Sequence, residues 1–125
     1  MALTITRNQT PTFFATLVAA DNTPFDVTDF KSGQYTIYKS SQYMLSNVPS
    51  SALTPVTGFE SVAISESAII GAETVSAQNL NYNFKFSPDA TESFPFADVG
   101  IYFVEFQITP QTGNPIVWQR TIEVV

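Results

Sequence analysis

The feature that most constrains this chain is a period of two over residues 101–109, in which every second residue from Tyr102 to Ile108 is apolar. Successive side chains of a β-strand point to opposite faces, so residues two apart share a face. One face of this segment is apolar and carries Tyr102, Val104, Phe106 and Ile108. The other face carries Ile101, Phe103, Glu105, Gln107 and Thr109. A period of two with one apolar face predicts a strand whose apolar side lies against the core.

The residues just before this strand predict its corner. Asp98 and Gly100 are residue types that often mark turns, and Gly100 can adopt backbone angles that other residues adopt only at a cost in free energy. In immunoglobulin-type sandwiches, a tyrosine near the start of the penultimate strand bonds back to the preceding corner, two residues before a core cysteine. Tyr102 fits that tyrosine and Val104 occupies the cysteine position, so the sequence predicts the corner without the disulfide.

Length and composition favour a single domain built from strands. The chain has 125 residues, the size of one domain, and we assign residues 1–125 to it. Its apolar fraction of 44% is enough for a core, and its eleven phenylalanines and five tyrosines favour strands. Charged residues make up 13% of the chain, which is too few for long amphipathic helices.

Other segments alternate or are rich in strand-forming residues. The further predicted strands cover residues 3–6, 12–19, 34–39, 61–65, 68–75, 80–86 and 116–125. The predicted connections are turns at 21–24, 31–33 and 110–115, a hairpin turn at 65–67, and a long serine-rich loop over 40–58. The last two strands form a hairpin, with residues 80–86 close beside it. About seven to nine short strands predict an all-β, immunoglobulin-like antiparallel sandwich, with a closed barrel as the alternative.

The chain lacks the residue types on which most enzyme sites depend. It contains no histidine and no cysteine, which removes the commonest general base and the soft metal ligands. A pair of catalytic carboxylates is not indicated either, because Glu105 is the one acid on the central strand and we expect it to be solvated. The sequence therefore predicts a protein without enzymatic activity and without a cofactor.

Three aspartates lie close together around one predicted turn: Asp21, Asp26 and Asp29. Oxygen ligands from one loop suit calcium, but the spacing lacks the pattern of a calcium-binding loop. Aspartates also close turns, which explains these residues more simply. We therefore predict turn caps and no metal site, and calcium at Asp21–Asp29 stays the open alternative.

Charge and hydropathy narrow the classes of partner. Eleven acidic and five basic residues give a net charge of −6, and the basic residues are scattered singly, unlike the basic stripe of a nucleic-acid-binding protein. No segment approaches the ~18 consecutive apolar residues of a membrane helix. The N-terminus shows no export signal, and the absence of cysteine favours folding in a reducing cytoplasm.

Two residues of the last predicted strand are open to more than one interpretation. Aromatic rings stack on sugars, so Trp118 could form a glycan-binding platform. Tryptophan in a sandwich is usually largely buried, however, and we predict a core residue. Arg120 interrupts the apolar side of the same strand, which predicts either an edge position or an aromatic neighbour.

Two segments resemble a known group of proteins. The first is Asn22–Thr28, which leads to the strand Tyr35–Lys39. The second is Tyr82–Asp89 followed by Asp98–Thr109, in which an aspartate-bearing loop precedes a Gly-x-Tyr-x-x-x-Phe strand, and then by a glycine-containing loop and a closing strand. Together they resemble the small immunoglobulin-like modules of tailed-phage virion proteins, of the type found at the N-terminus of phage baseplate upper proteins. The resemblance implies a non-enzymatic protein that builds or covers a virion, such as a capsid decoration protein or a small tail or baseplate accessory.

These observations give an expected function and expected contact residues. We predict a structural protein of the virion that binds other virion proteins or itself, with a carbohydrate-binding or adhesion module as the alternative. Expected contacts lie on the N-terminal edge, which can pair with a neighbour's sheet, and in the serine-rich loop: Leu3, Ile5, Arg7, Pro11 and Tyr43. The residues expected to hold the fold are Asp98, Gly100, Tyr102, Val104, Phe106 and Trp118.

Overall fold

The computed structural model describes residues 3–39, 54–75, 80–88 and 95–125. The strands are β1 (Leu3–Ile5), β2 (Phe13–Ala15), β3 (Phe30–Lys39), β4 (Thr54–Pro55), β5 (Val62–Ala63), β6 (Ile69–Val75), β7 (Leu80–Phe86), β8 (Gly100–Pro110) and β9 (Ile116–Val124). In the described residues, two short 3-10 helices cover Val27–Asp29 and Glu66–Ala68. The all-β prediction is confirmed, and nine described strands fall within the expected range.

The strands form two sheets. The large sheet has the order β1-β9-β8-β3-β4, with β5 also paired to β3, and the small sheet has the order β2-β7-β6. Every described pairing is antiparallel except that of β1 with β9, which is parallel. Long ladders join β8 to β3 on one side and to β9 on the other, so β8 lies at the centre of the large sheet.

This strand order is that of an immunoglobulin-like sandwich. Strands β9, β8 and β3 take the places of the G, F and C strands, and β2, β7 and β6 take those of B, E and D in the facing sheet. The N-terminal strand lies at the edge beside the last strand. The predicted sandwich is therefore confirmed, because the described strands divide into two sheets and do not close into a barrel.

The core lies between the two sheets and is centred on β8. Its four inward-facing residues are at most 1% exposed: Tyr102, Val104, Phe106 and Ile108. The Phe106 ring meets those of Phe13 and Phe84 edge-to-face, at centroid distances of 5.2 and 5.6 Å, which joins β8 to two strands of the small sheet. Ile101 and Phe103, on the opposite face, are buried as well. Because burying one phenylalanine stabilises a fold by roughly 1.5–3 kcal/mol, β8 contributes much of the stability.

The predicted turn at residues 31–33 is wrong. These residues belong to β3, which has a bulge between Phe30 and Ser32 and then stays paired with β8. A Cβ atom on Gly33 would lie 2.8 Å from Cδ1 of Ile108. The glycine therefore marks a close approach of side chains to the strand, which the sequence alone does not distinguish from a turn.

The predicted hairpin between residues 61–65 and 68–75 is also wrong. Strand β5 pairs with β3 in the large sheet, whereas β6 pairs with β7 in the small one. The intervening residues form a 3-10 helix, in which the Ser65 side chain accepts a hydrogen bond from the Ser67 N–H at 3.3 Å. Ile64 before this helix and Ala68 at its end are both buried, and the segment crosses from one sheet to the other.

The second predicted strand, residues 12–19, is shorter than expected. Phe13–Ala15 form β2, and beyond it the buried side chain of Asn83 replaces the ladder. The Asn83 Oδ1 accepts from the Leu17 N–H at 2.7 Å, and its Nδ2 donates to the Leu17 carbonyl at 2.8 Å. A side chain that binds the backbone in this way leaves no trace in the period of the strand.

Two other segments lie elsewhere than predicted. Within the expected loop of residues 40–58, Thr54–Pro55 pair with β3 as β4, and residues 40–53 lie outside the described residues. Strand β7 faces the closing hairpin across the core and does not pair with it. Its Phe84 ring contacts the rings of Phe106 and Trp118 at 5.6 and 5.1 Å.

Candidate interaction surface

The N-terminal strand forms one edge of the large sheet. Leu3 lies opposite Ile122 and Ile5 opposite Val124, and the Val125 N–H donates to the Ile5 carbonyl at 2.9 Å. Ile5 is 8% exposed and anchors the strand in the core, whereas Leu3 is 44% exposed. The expected edge position of this segment is confirmed by the strand order.

A defined turn carries the chain from β1 to the small sheet. Asn8 has a positive φ of 66°, and its N–H donates to the Phe96 carbonyl at 2.9 Å. The Pro11 carbonyl accepts from the Ser87 hydroxyl at 2.9 Å, next to the start of β2. Pro11 therefore lies at a switch between sheets, and Arg7 is exposed on the turn. The last expected contact residue, Tyr43, lies outside the described residues.

An open cleft of about 220 Å³ lies between the edges of the two sheets. Strand β1 is the edge of the large sheet and β2 is an edge of the small sheet. The cleft is lined by Leu3, Thr12, Phe13, Phe14, Tyr82, Arg120, Thr121 and Ile122. Residues from both sheets and from four strands or their flanks therefore meet in this cleft.

Arg120 and two aromatic rings give the cleft its chemistry. The Phe14 and Tyr82 rings are 5.3 Å apart, and both side chains are half-buried. Arg120 is exposed, and its Nη2 donates to the Phe14 carbonyl across the cleft at 3.4 Å. The Lys85 ammonium lies 6.0 Å from the centre of the Phe14 ring. Sequence reasoning noticed that Arg120 interrupts an apolar face but missed its neighbours Phe14 and Tyr82, which come from the other sheet.

The residues expected at the corner of β8 lie together. The Tyr102 hydroxyl donates to the Asp98 carbonyl at 2.9 Å and accepts from the Asp98 N–H at 3.3 Å, the back-bonding expected of a tyrosine corner. Gly100 has a φ of 149°, which favours glycine. The hydrogen bond from the Lys39 ammonium to the Asp98 carboxylate, at 3.1 Å, raises the pKa of Lys39. The corner before β8 is thus stabilised by the hydrogen bonds of Asp98 with Tyr102 and Lys39.

Trp118 packs against the core from β9. Its ring is half-buried, stacks on the Phe106 ring at 5.1 Å and 20°, and meets the Phe84 ring at 88°. One face of the indole is therefore taken by a core phenylalanine.

The clustered aspartates cap turns. Asp21 accepts hydrogen bonds from the Thr23 hydroxyl at 2.6 Å and the Thr23 N–H at 3.2 Å, which lower the pKa of Asp21. The Asp29 carboxylate accepts from the Asp26 N–H at 3.0 Å. In the described parts of the chain, no three His, Cys, Asp or Glu side chains come together as a metal site.

Two general findings complete the description of the surface. No helix among the described residues is long and apolar enough to span a membrane. No protein-family model, no curated protein and no solved structure matches the chain. The resemblance to phage virion modules therefore stays a prediction.

Proposed function

We propose that the protein is a non-enzymatic structural protein of a tailed-phage virion, which attaches to a repeating protein lattice through the edge of its large sheet. The observation that carries this proposal is the position of β1. It is a three-residue strand at the outside of the large sheet, and no strand in the described ranges pairs with its outer side. Unpaired backbone groups on an edge strand are a ready site for strand addition by another protein.

The outward-pointing groups of β1 belong to Thr4. The Ile5 carbonyl accepts from the Val125 N–H, so the backbone N–H and carbonyl groups of the odd-numbered residues of β1 point to β9. Backbone groups of successive residues in a strand point to opposite sides, so the N–H and carbonyl of Thr4 point away from the sheet. Thr4 is also exposed, which leaves room for a partner strand.

A lattice partner suits so short an edge. Three residues of pairing give a weak contact when a single copy binds. Symmetric assembly repeats the contact, and several weak contacts held at fixed spacing give tight attachment. The composition supports a binding role, because the chain contains no histidine and no cysteine for the commonest kinds of catalysis.

The test is co-sedimentation with particles of the phage that lack the protein. Thr4→Pro removes the outward N–H and leaves the groups that face β9, so we expect binding to weaken by about tenfold or more. Thr4→Val keeps that N–H and is the matched control, with unchanged binding. Equal binding by both variants would place the contact away from β1, and no binding by the unaltered protein would overturn the virion role.

A carbohydrate-binding module with Trp118 as its platform is the second candidate, favoured by the half-buried indole, part of which is exposed on β9. Here Trp118→Ala separates the alternatives. Because the indole packs on Phe106, we expect the free energy of unfolding to fall by about 3 kcal/mol, measured by chemical denaturation. Unchanged stability together with lost binding on a glycan array would favour the sugar platform instead.

A further inference from the structure

Part of the edge of β9 lies beyond the reach of β1. Strand β1 pairs with Ile122–Val124, whereas β9 begins at Ile116. We call residues Ile116–Gln119 the β9 step. On the β1 side, no described strand covers it, and Gln119 lies three positions, about 10 Å, beyond the residue opposite Leu3.

The free backbone groups of the β9 step follow from the register. The Val125 N–H donates to β1, so the odd-numbered residues of β9 direct their backbone groups to that side. Alternate residues of a strand bond to the same side, so the N–H and carbonyl groups of Val117 and Gln119 point to the open edge. Val117 is 56% exposed and Gln119 is exposed, which leaves this edge accessible.

The cleft begins where the β9 step ends, because the residues of β9 that line it are Arg120, Thr121 and Ile122. A strand added there would continue the plane of the large sheet, and residues opposite Trp118 and Arg120 would point to the inner face, because cross-strand neighbours share a face. That face leads into the cleft lined by Phe14, Tyr82 and Arg120. The surface therefore offers backbone pairing along the β9 step and a side-chain pocket next to it, at Arg120.

The charge of the cleft specifies the side chain that fits it. Two of the five basic residues of the chain, Arg120 and Lys85, lie around Phe14 in a protein of net charge −6. A guanidinium has five N–H donors, and the bond from Arg120 to the Phe14 carbonyl is long at 3.4 Å. Carboxylates pair with guanidinium through two hydrogen bonds, so an aspartate or glutamate suits this position.

We propose that the β9 step binds an extended segment of a partner protein by strand addition, with a carboxylate side chain beside Arg120 and an apolar side chain beside Trp118. The proposal rests on the proposed function for the identity of the partner, which is another virion protein. A peptide is favoured over a glycan because a sugar would leave the backbone groups of Val117 and Gln119 unused.

The direct test is a titration followed by nuclear magnetic resonance. The probe is the acetylated heptapeptide Thr-Val-Thr-Asp-Thr-Val-Thr, whose valines and aspartate share one face. We expect progressive shifts of the Val117 and Gln119 amide signals, and about tenfold weaker binding when lysine replaces the aspartate of the peptide. No shift of either amide up to about 5 mM peptide would overturn the inference, because strand addition must change the environment of both groups.

Variants of the protein separate backbone pairing from charge. Gln119→Pro removes one outward N–H and should abolish peptide binding, whereas Gln119→Thr keeps the N–H and should bind as the unaltered protein does. Arg120→Glu should reverse the preference, so that the lysine peptide binds better than the aspartate peptide. Equal binding by the Gln119→Pro and Gln119→Thr proteins, or an unchanged preference in Arg120→Glu, would contradict the geometry proposed.

Three further outcomes distinguish a failure of the inference from a failure of the proposed function. Slow hydrogen exchange at Val117 and Gln119 in the protein alone, at any concentration, would mean that the chain or a second copy covers the β9 step, and would overturn the inference. Peptide binding without any binding to virions would leave the β9 step in place and overturn the virion role. Virion binding by Gln119→Pro at full strength, together with no peptide-induced shifts in the unaltered protein, would overturn the inference and leave the virion role in place.

Discussion

β8 and β9 are neighbours in one sheet, yet they differ in how much of their backbone is paired and in how fully their inward side chains are buried. The backbone of β8 is paired on both sides, and its inward side chains are buried. β9 is paired fully with β8 but with β1 along three residues, and its inward face includes the exposed Arg120. The centre of the sheet therefore supplies stability, whereas its edge has backbone groups that no described strand pairs with and an exposed charge.

The largest effect is expected from a change at the centre. Phe106 is fully buried and contacts rings of the facing sheet, so Phe106→Ala should lower the free energy of unfolding by about 3–5 kcal/mol. Val117→Ala on the edge, where the side chain is 56% exposed, should cost less than about 0.5 kcal/mol. Chemical denaturation measures both, and similar costs would remove the distinction between centre and edge.

Proline tests the same distinction in the backbone. Gln107 lies opposite Gln34 on one side and Val117 on the other, so Gln107→Pro should cost about 3 kcal/mol or leave the protein unfolded. Gln119→Pro removes a hydrogen-bond donor that points to the open edge, and should cost less than about 1 kcal/mol. If the second change were as damaging as the first, the edge of β9 would be covered.

The corner of β8 gives a smaller effect. Tyr102→Phe removes the hydroxyl that bonds to Asp98, and should lower stability by about 1–2 kcal/mol in thermal and chemical unfolding. Tyr82→Phe is the control, because no hydrogen bond joins the Tyr82 hydroxyl to the described residues. A cost for Tyr102→Phe no greater than that of the control would show that the corner is held by packing alone.

The smallest effect is a dependence on pH at the Lys39–Asp98 ion pair. The hydrogen bond to Asp98 raises the pKa of Lys39 above its ordinary value of 10.5. The pair therefore stabilises the fold below pH 10.5, and this contribution is lost as the pH rises through the higher pKa of the folded state. Because the pair is exposed, Lys39→Met should cost at most about 1 kcal/mol at pH 7, with no difference from the unaltered protein at high pH. A difference that persisted at high pH would assign the effect to packing.

The centre of the fold is readable in the sequence because one physical rule governs it. Alternation places Tyr102, Val104, Phe106 and Ile108 on one face, and the same rule finds β7 and β9. The rule fails where a single residue does something that spacing does not encode. Gly33 makes room for the side chain of Ile108. The Asn83 side chain hydrogen-bonds to the Leu17 backbone, where a partner strand would otherwise pair.

The candidate site is less readable because its parts are distant in the chain. Arg120 and Phe14 are 106 residues apart and meet because the edges of two sheets lie together. The sequence marks Arg120 as an exception on an apolar face, and it marks the N-terminal segment as an edge. The sequence does not predict that β1 pairs with residues 122–124 of β9 alone, since that depends on the register between the two strands.

Cryo-electron microscopy of phage particles to which the purified protein has been added tests most directly whether the edge of the large sheet binds the virion. We expect ordered density at repeated positions on the particle, with β1 and the β9 step against a neighbouring protein and an extended segment paired with the sheet. Density with this edge facing solvent would assign attachment to another surface. No added density on the head or the tail would reject the virion role itself.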